Sequence, residues 1–187
     1  DWNNSGIHGW ESVIKLEQLV NGIAVKKVFL PETGCPGPVT IDLGEDLLLI
    51  LISSPWWIHP HERPHAPATS CDVLVEQQFM EQLVDLLEVN SEKNVLIAGH
   101  HPAISNGNYG GRNAIGQHFS PPVIGTFKAA YHQNIGDPKD MAYSAYRSFA
   151  GSLKFLLQDQ SPFIYASAHD YNLQILEFEN SYQLVSG

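Results

Sequence analysis

With 187 residues, of which 43% are hydrophobic and 16% charged, the chain has the make-up of a folded domain, which excludes a disordered or fibrous polypeptide. A formal net charge of −10 on only 10 Lys and Arg argues against a general affinity for nucleic acid or anionic membranes, since both reward clustered cations. No apolar run approaches the roughly 20 residues that span a bilayer.

In chain order, Trp10, Val13, Ile14, Leu16, Leu19 and Val20 recur near helical spacing before Asn21-Gly22, which predicts a helix over 9–21. Residues 23–30 are rich in β-branched side chains and read as a strand ending at Pro31, and the Gly/Pro cluster at 34–38 reads as a loop. Residues 39–43 alternate as a half-buried strand, and 47–52 is apolar on both faces, as a central strand covered on two sides would be. The Pro-rich stretch 53–70 predicts a long surface loop, with Trp56 and Trp57 read as core packing and His59, His61 and His65 as solvent or rim residues rather than ligands.

Val75, Phe79, Leu83, Leu86 and Leu87 predict a helix over 71–89, followed by a strand at 94–98 and a Gly/Asn/Pro-rich loop over 105–125. Asp137-Pro138 reads as an N-cap and first-turn proline of a helix running to Gln160; a strand at 163–166 and a hairpin of 172–178 with 182–185 close the pattern. Alternating helix and strand signals without repeat or linker predict one α/β unit over 1–187. The opening residues Asp1-Trp2-Asn3-Asn4-Ser5-Gly6 read as the inside of a loop, so further polypeptide is expected before them.

Chemistry concentrates at the ends of two predicted strands. Gly99-His100-His101-Pro102 follows the first, and His169-Asp170 follows the second. Two successive helix–strand units place their strands parallel with C-terminal ends together, which is where open α/β sheets put their sites. A neutral imidazole is the commonest metal ligand, so His100 and His169 are candidate ligands, although a hydrolytic site needs three or four. Asp170 either orients a ligand from behind or is simply solvated. Cys35 and Cys71 either pair as a disulfide, which suits a periplasmic or extracellular compartment, or are two buried thiols. No Ser stands in a G-x-S-x-G elbow, and Gly107 to Gly111 lacks the Lys of a phosphate loop.

Four stretches, Asp1 to Gly6, Gly34-Cys35-Pro36-Gly37-Pro38, Gly99-His100-His101-Pro102 with Ser105-Asn106-Gly107, and His169-Asp170-Tyr171-Asn172-Leu173-Gln174, together resemble the calcineurin-like metallophosphoesterases, nearest the purple-acid-phosphatase-like bacterial branch. The resemblance implies an α/β fold with a layered β-sandwich flanked by helices. It also implies hydrolysis of a small phosphorylated substrate by two metal ions, of Fe, Mn or Zn. It assigns His100 and His169 to metal, His101 and Asp1 to catalysis, and Asn106 and Tyr171 to substrate. The family's D-x-H, G-D and G-N-H motifs do not occur ahead of Gly99-His100-His101-Pro102, as expected of the C-terminal portion of such a domain. Tyr171 stands where the family has a second histidine. It could bind a ferric ion as phenolate, leave one metal position weak, or mark a degenerate site in a pseudoenzyme or binding module.

Overall fold

The computed structural model describes residues 9–59, 63, 70–107, 141, 143–160 and 162–187. The described elements are α1 (Gly9–Ile23), β1 (Val39–Asp42), β2 (Leu47–Leu51), α2 (Ser54–Ile58), α3 (Glu76–Val89), β3 (Asn94–Ala98), α4 (Ser144–Asp159), β4 (Phe163–Ser167), β5 (Leu173–Glu177) and β6 (Tyr182–Ser186). The strands form a six-stranded mixed sheet in the order β1-β2-β3-β4-β6-β5. Strands β2, β3, β4 and β6 run parallel, and β1 and β5 are antiparallel edges. The β5–β6 hairpin is the expected one, and β6 inserts between β4 and its own partner.

Because side chains alternate across a strand, the register sorts them into two faces. Leu48, Ile50, Val95, Ile97, Phe163 and Tyr165 are buried on one face in a core shared with Phe79, Leu83 and Leu87 of α3 and Tyr146, Phe149, Leu153 and Leu157 of α4, and Val185 is buried on the same face. Leu49, Leu96, Ile164 and Leu184 lie on the other face and are only partly covered or exposed. Helices therefore flank the described sheet on its buried face, and one sheet is seen among the described residues.

Several expectations need correction. Residues 24–29 form no strand: α1 continues to Ile23, Val25 is 102% exposed, and the Asn21 side-chain oxygen accepts the N–H groups of Val28 and Phe29 in place of a ladder. Among the described residues no strand pairs with the β-branched run, so tertiary context overrides its propensity. Helix α3 starts at Glu76, because Val75 before it is extended and Cys71 is tied to the loop before β1. The Pro-rich stretch contains α2, which starts with Pro near its N-terminus, where the missing N–H costs nothing. Trp56 and Trp57 are buried as expected, with Trp57 edge-on to Phe79 at 5.8 Å and to Phe149 at 5.7 Å. His59, however, is 2% exposed and no rim residue, since every residue of the short helix it caps is buried. His61, His65 and the 137–138 cap lie outside the described residues. None of the described helices is long and apolar enough to cross a membrane.

Cys35 and Cys71 are joined in a disulfide across 36 positions. The link closes a loop containing β1, β2 and α2, and an enclosed loop of that length limits the unfolded chain by about 4 kcal/mol on the loop-entropy account. Reduction, or Cys35→Ser with Cys71→Ser, is therefore expected to lower unfolding free energy by about 2–4 kcal/mol. Urea unfolding with and without reductant measures this; coincident curves would mean the link constrains nothing.

Candidate metal-binding site

Strands β3 and β4 pair in parallel with Ala98 opposite Ala166, and the ladder continues past both ends through Gly99 N–H to Ala166 O (3.0 Å) and Ala168 N–H to His100 O (3.0 Å). That continuation carries His100 and His101 from one strand and His169 from the other into one place. A methyl on Gly99 would lie 2.7 Å from the Tyr165 hydroxyl and 2.9 Å from Ile52 Cγ1, so the crossing of the chain here requires glycine. His169 holds φ +67°, a left-handed conformation that costs a residue with a Cβ about 1–2 kcal/mol. Such outlay is typical of positions where function fixes a side chain.

One ring nitrogen from each of His100, His101 and His169 lies within 4.8 Å of the others. Nδ1 of His169 and Nε2 of His100 are 3.3 Å apart. Two nitrogens held about 2.0–2.1 Å from one tetrahedral ion would be separated by about 3.3–3.4 Å, so this pair has the spacing of two ligands as well as that of a hydrogen bond. The His101 ring sits 4.5 Å from that of His169 and 4.7 Å from that of His100, centroid to centroid, and Tyr146 of α4 closes over His101 at 5.1 Å. His101 is 1% exposed; His100 and His169 are half-buried.

Burial, then the neighbouring His169, lowers the His100 imidazole to a pKa of about 4. The same causes, with His100 added, hold His101 well below its ordinary value. At neutral pH both rings are therefore neutral, with a lone pair on one nitrogen each, which is the state a metal needs from an imidazole.

The chain after the double histidine is strapped down by side chains from β5, β6 and α2. Gln183, fully buried, accepts the N–H groups of Ala103 (2.8 Å) and Ile104 (3.2 Å) and donates to Ile104 O (2.5 Å). Gln174 accepts Asn106 N–H (2.9 Å) and donates to Ser105 Oγ (3.0 Å) and Asn172 Oδ1 (2.6 Å). Tyr165 donates its hydroxyl to His101 O at 2.6 Å, and its burial pushes the phenol pKa well up, so it stays a donor. Ser54 Oγ accepts His101 N–H at 3.0 Å and stands 3.0 Å from His101 Nδ1.

His100, His101 and His169 are thus brought together. The Asn106 backbone is held at the loop beside them, with its side chain exposed. Tyr171 is 83% exposed, so its ring lies largely in solvent and not among the imidazoles. Asp170 is buried rather than solvated. Asp1 lies outside the described residues. Ser54, Tyr165, Gln174 and Gln183 were not singled out by the sequence; the usable signal was Gln183, a polar residue at an inward position of an alternating strand.

No protein-family model matches this chain, and no curated protein sequence matches it. Among solved structures, one described as GAP50, the anchor in the inner membrane complex of Plasmodium, shares 16% identity over 91% of this chain, with a TM-score of 0.43. This chain spans 43% of the length of that one.

In metal-free protein the unfolded chain takes up protons below about pH 6.5 that native His100 refuses until about pH 4 and His101 until well below its ordinary value. Stability from this source is thus complete above pH 6.5 and lost as pH falls, at up to about 1.4 kcal/mol per pH unit for each ring. The difference in urea midpoint between wild type and His101→Gln, followed from pH 8 to 4, cancels the carboxylates and should shrink toward low pH. A constant difference would contradict the burial of His101.

Proposed function

We propose that this chain contributes to a metal-dependent phosphoester hydrolase and that His100 and His169 are two of its metal ligands. The observation that carries this is the convergence of the two imidazoles at the C-terminal ends of adjacent parallel strands. Of the three ions, imidazole nitrogens suit Zn or Fe better than Mn, which prefers carboxylates, and both rings are half-buried and oriented by a packed scaffold. When bound, such an ion neutralises phosphate charge and lowers the pKa of a coordinated water.

The chain's own residues supply the rest. His100 and His169 present nitrogens, His101 faces the same space as a hydrogen-bond partner for a leaving oxygen, and the exposed Asn106 side chain is available to a phosphate. Further ligands, including those for a second ion and the role assigned to Asp1, fall outside the described residues. The layered sandwich belongs to the same reading. The outward row Leu49, Leu96, Ile164 is apolar and incompletely covered, as the inner surface of a two-layer sheet would be before its partner is added. The disulfide supports a periplasmic or extracellular setting.

A second reading, a pseudoenzyme that keeps the fold, is favoured by Tyr171, a phenol in solvent where the resemblance expects an imidazole. Metal analysis and hydrolysis of an aryl phosphate by the full-length protein separate the two. The hydrolase reading expects stoichiometric metal in wild type and, in His100→Ala, loss of metal with activity down at least about a hundredfold. Wild-type protein that holds little metal and hydrolyses nothing would favour the pseudoenzyme; His100→Ala with unchanged metal content would refute the assignment of His100.

A further inference from the structure

Three imidazoles meet, but they are not chemically equivalent. Ser54 Oγ is 1% exposed and makes two contacts among the described residues, one to His101 N–H and one to His101 Nδ1, both at 3.0 Å. The backbone N–H can only donate, so it occupies an oxygen lone pair. The hydroxyl proton then has Nδ1 as its acceptor; were Nδ1 itself protonated, the buried hydroxyl proton would go unmet, at a cost of about 1–3 kcal/mol.

Donation from Ser54 therefore places the bare lone pair of His101 on Nδ1 and its proton on Nε2. Nε2 is buried and has no hydrogen-bond partner among the described residues. The backbone of His101 is fixed by its N–H to Ser54 and by the Tyr165 hydroxyl on its C=O at 2.6 Å, and the ring is held by its Nδ1 contact to Ser54 and by burial.

We propose that His101 is the hydrogen-bond donor of this cluster and not a third metal ligand, and that Ser54 is the positioning residue that fixes its tautomer. A protonated Nε2 has no lone pair for a cation. It is complementary to an oxygen acceptor, and an anionic phosphoryl oxygen held beside His100 and His169 supplies one. The inference deepens the phosphoester reading and rests on it for the identity of the ligand, but the protonation pattern stands on Ser54 alone. It divides the site into a metal half, His100 with His169, and a donor half, Ser54 with His101.

Nitrogen NMR of the full-length protein labelled in histidine, metal-free or zinc-loaded, reads the tautomer directly. The expected result is a protonated Nε2 and a bare Nδ1 on His101 in wild type, a mixed tautomer in Ser54→Ala, and restoration in Ser54→Thr, which keeps the hydroxyl. A bare or metal-bound Nε2 in wild type overturns the inference, whether or not Ser54→Ala folds.

Two further measurements use the zinc-loaded protein. His101→Gln should retain the metal that His100→Ala loses, and Ser54→Ala should weaken inorganic phosphate at least about tenfold with metal content unchanged. Loss of metal from His101→Gln to the extent seen in His100→Ala, or phosphate binding unaltered in Ser54→Ala, refutes the donor role. If wild type takes up no metal, the hydrolase reading fails by itself, and the NMR result still decides the tautomer.

Discussion

The arrangement depends on the parallel pairing of β3 with β4. Parallel strands end on the same side of a sheet, and here the ladder extends past the formal ends to His100 on one strand and Ala168 on the other before the chains diverge. A shift of one residue in either strand would turn its side chains to the opposite face and separate the imidazoles. Buried apolar residues hold the register: Val95 and Ile97 on one strand and Phe163 and Tyr165 on the other all face the helices. Core packing and site geometry are thus one constraint.

Past the strand ends the problem is polar. A loop that runs inward must satisfy its backbone groups, because each buried amide left unpaired costs about 1–3 kcal/mol. Gln183 and Gln174 answer this from neighbouring strands, and Tyr165 and Ser54 from beneath. Against that background of hydrogen bonds, the buried Nε2 of His101, without a partner among the described residues, and the left-handed backbone of His169 fall at one location. Strain and an unmet buried polar atom beside clustered imidazoles are compatible with the preorganisation that a metal position requires.

Much of this was legible in the residues. Asn94 to Ala98 and Phe163 to Ala166 are short apolar runs closed by glycine, proline or polar residues, and a helix precedes each, so their type and parallel relation follow from local pattern. The pairing of His100 with His169 across 69 positions follows from that topology. What escaped was carried by tertiary context. The 23–30 run has strand propensity but no strand beside it among the described residues, and Asn21 takes the amides of Val28 and Phe29 instead. His59 resembles its exposed-looking surroundings in sequence, yet it caps a helix sunk in the core. Ser54 lies 47 positions from His101 in a proline-rich stretch where no periodicity points at it, and the contact arises only from the folding of α2 against the double histidine. The spacing of Cys35 and Cys71 was equally compatible with two outcomes until the fold brought them together.

The position of β6 has a kinetic side. Its hairpin with β5 is local and can form early, yet β6 must then dock beside β4, and only this docking delivers Gln183 to amides 79 and 80 positions away. Closing loops of that span is paid for before the contacts reward it, and sheets dominated by such pairings fold slowly. The histidine loop consequently gains its Gln183 contacts only once β6 has docked, so its final shape is expected at the end of folding rather than along the way.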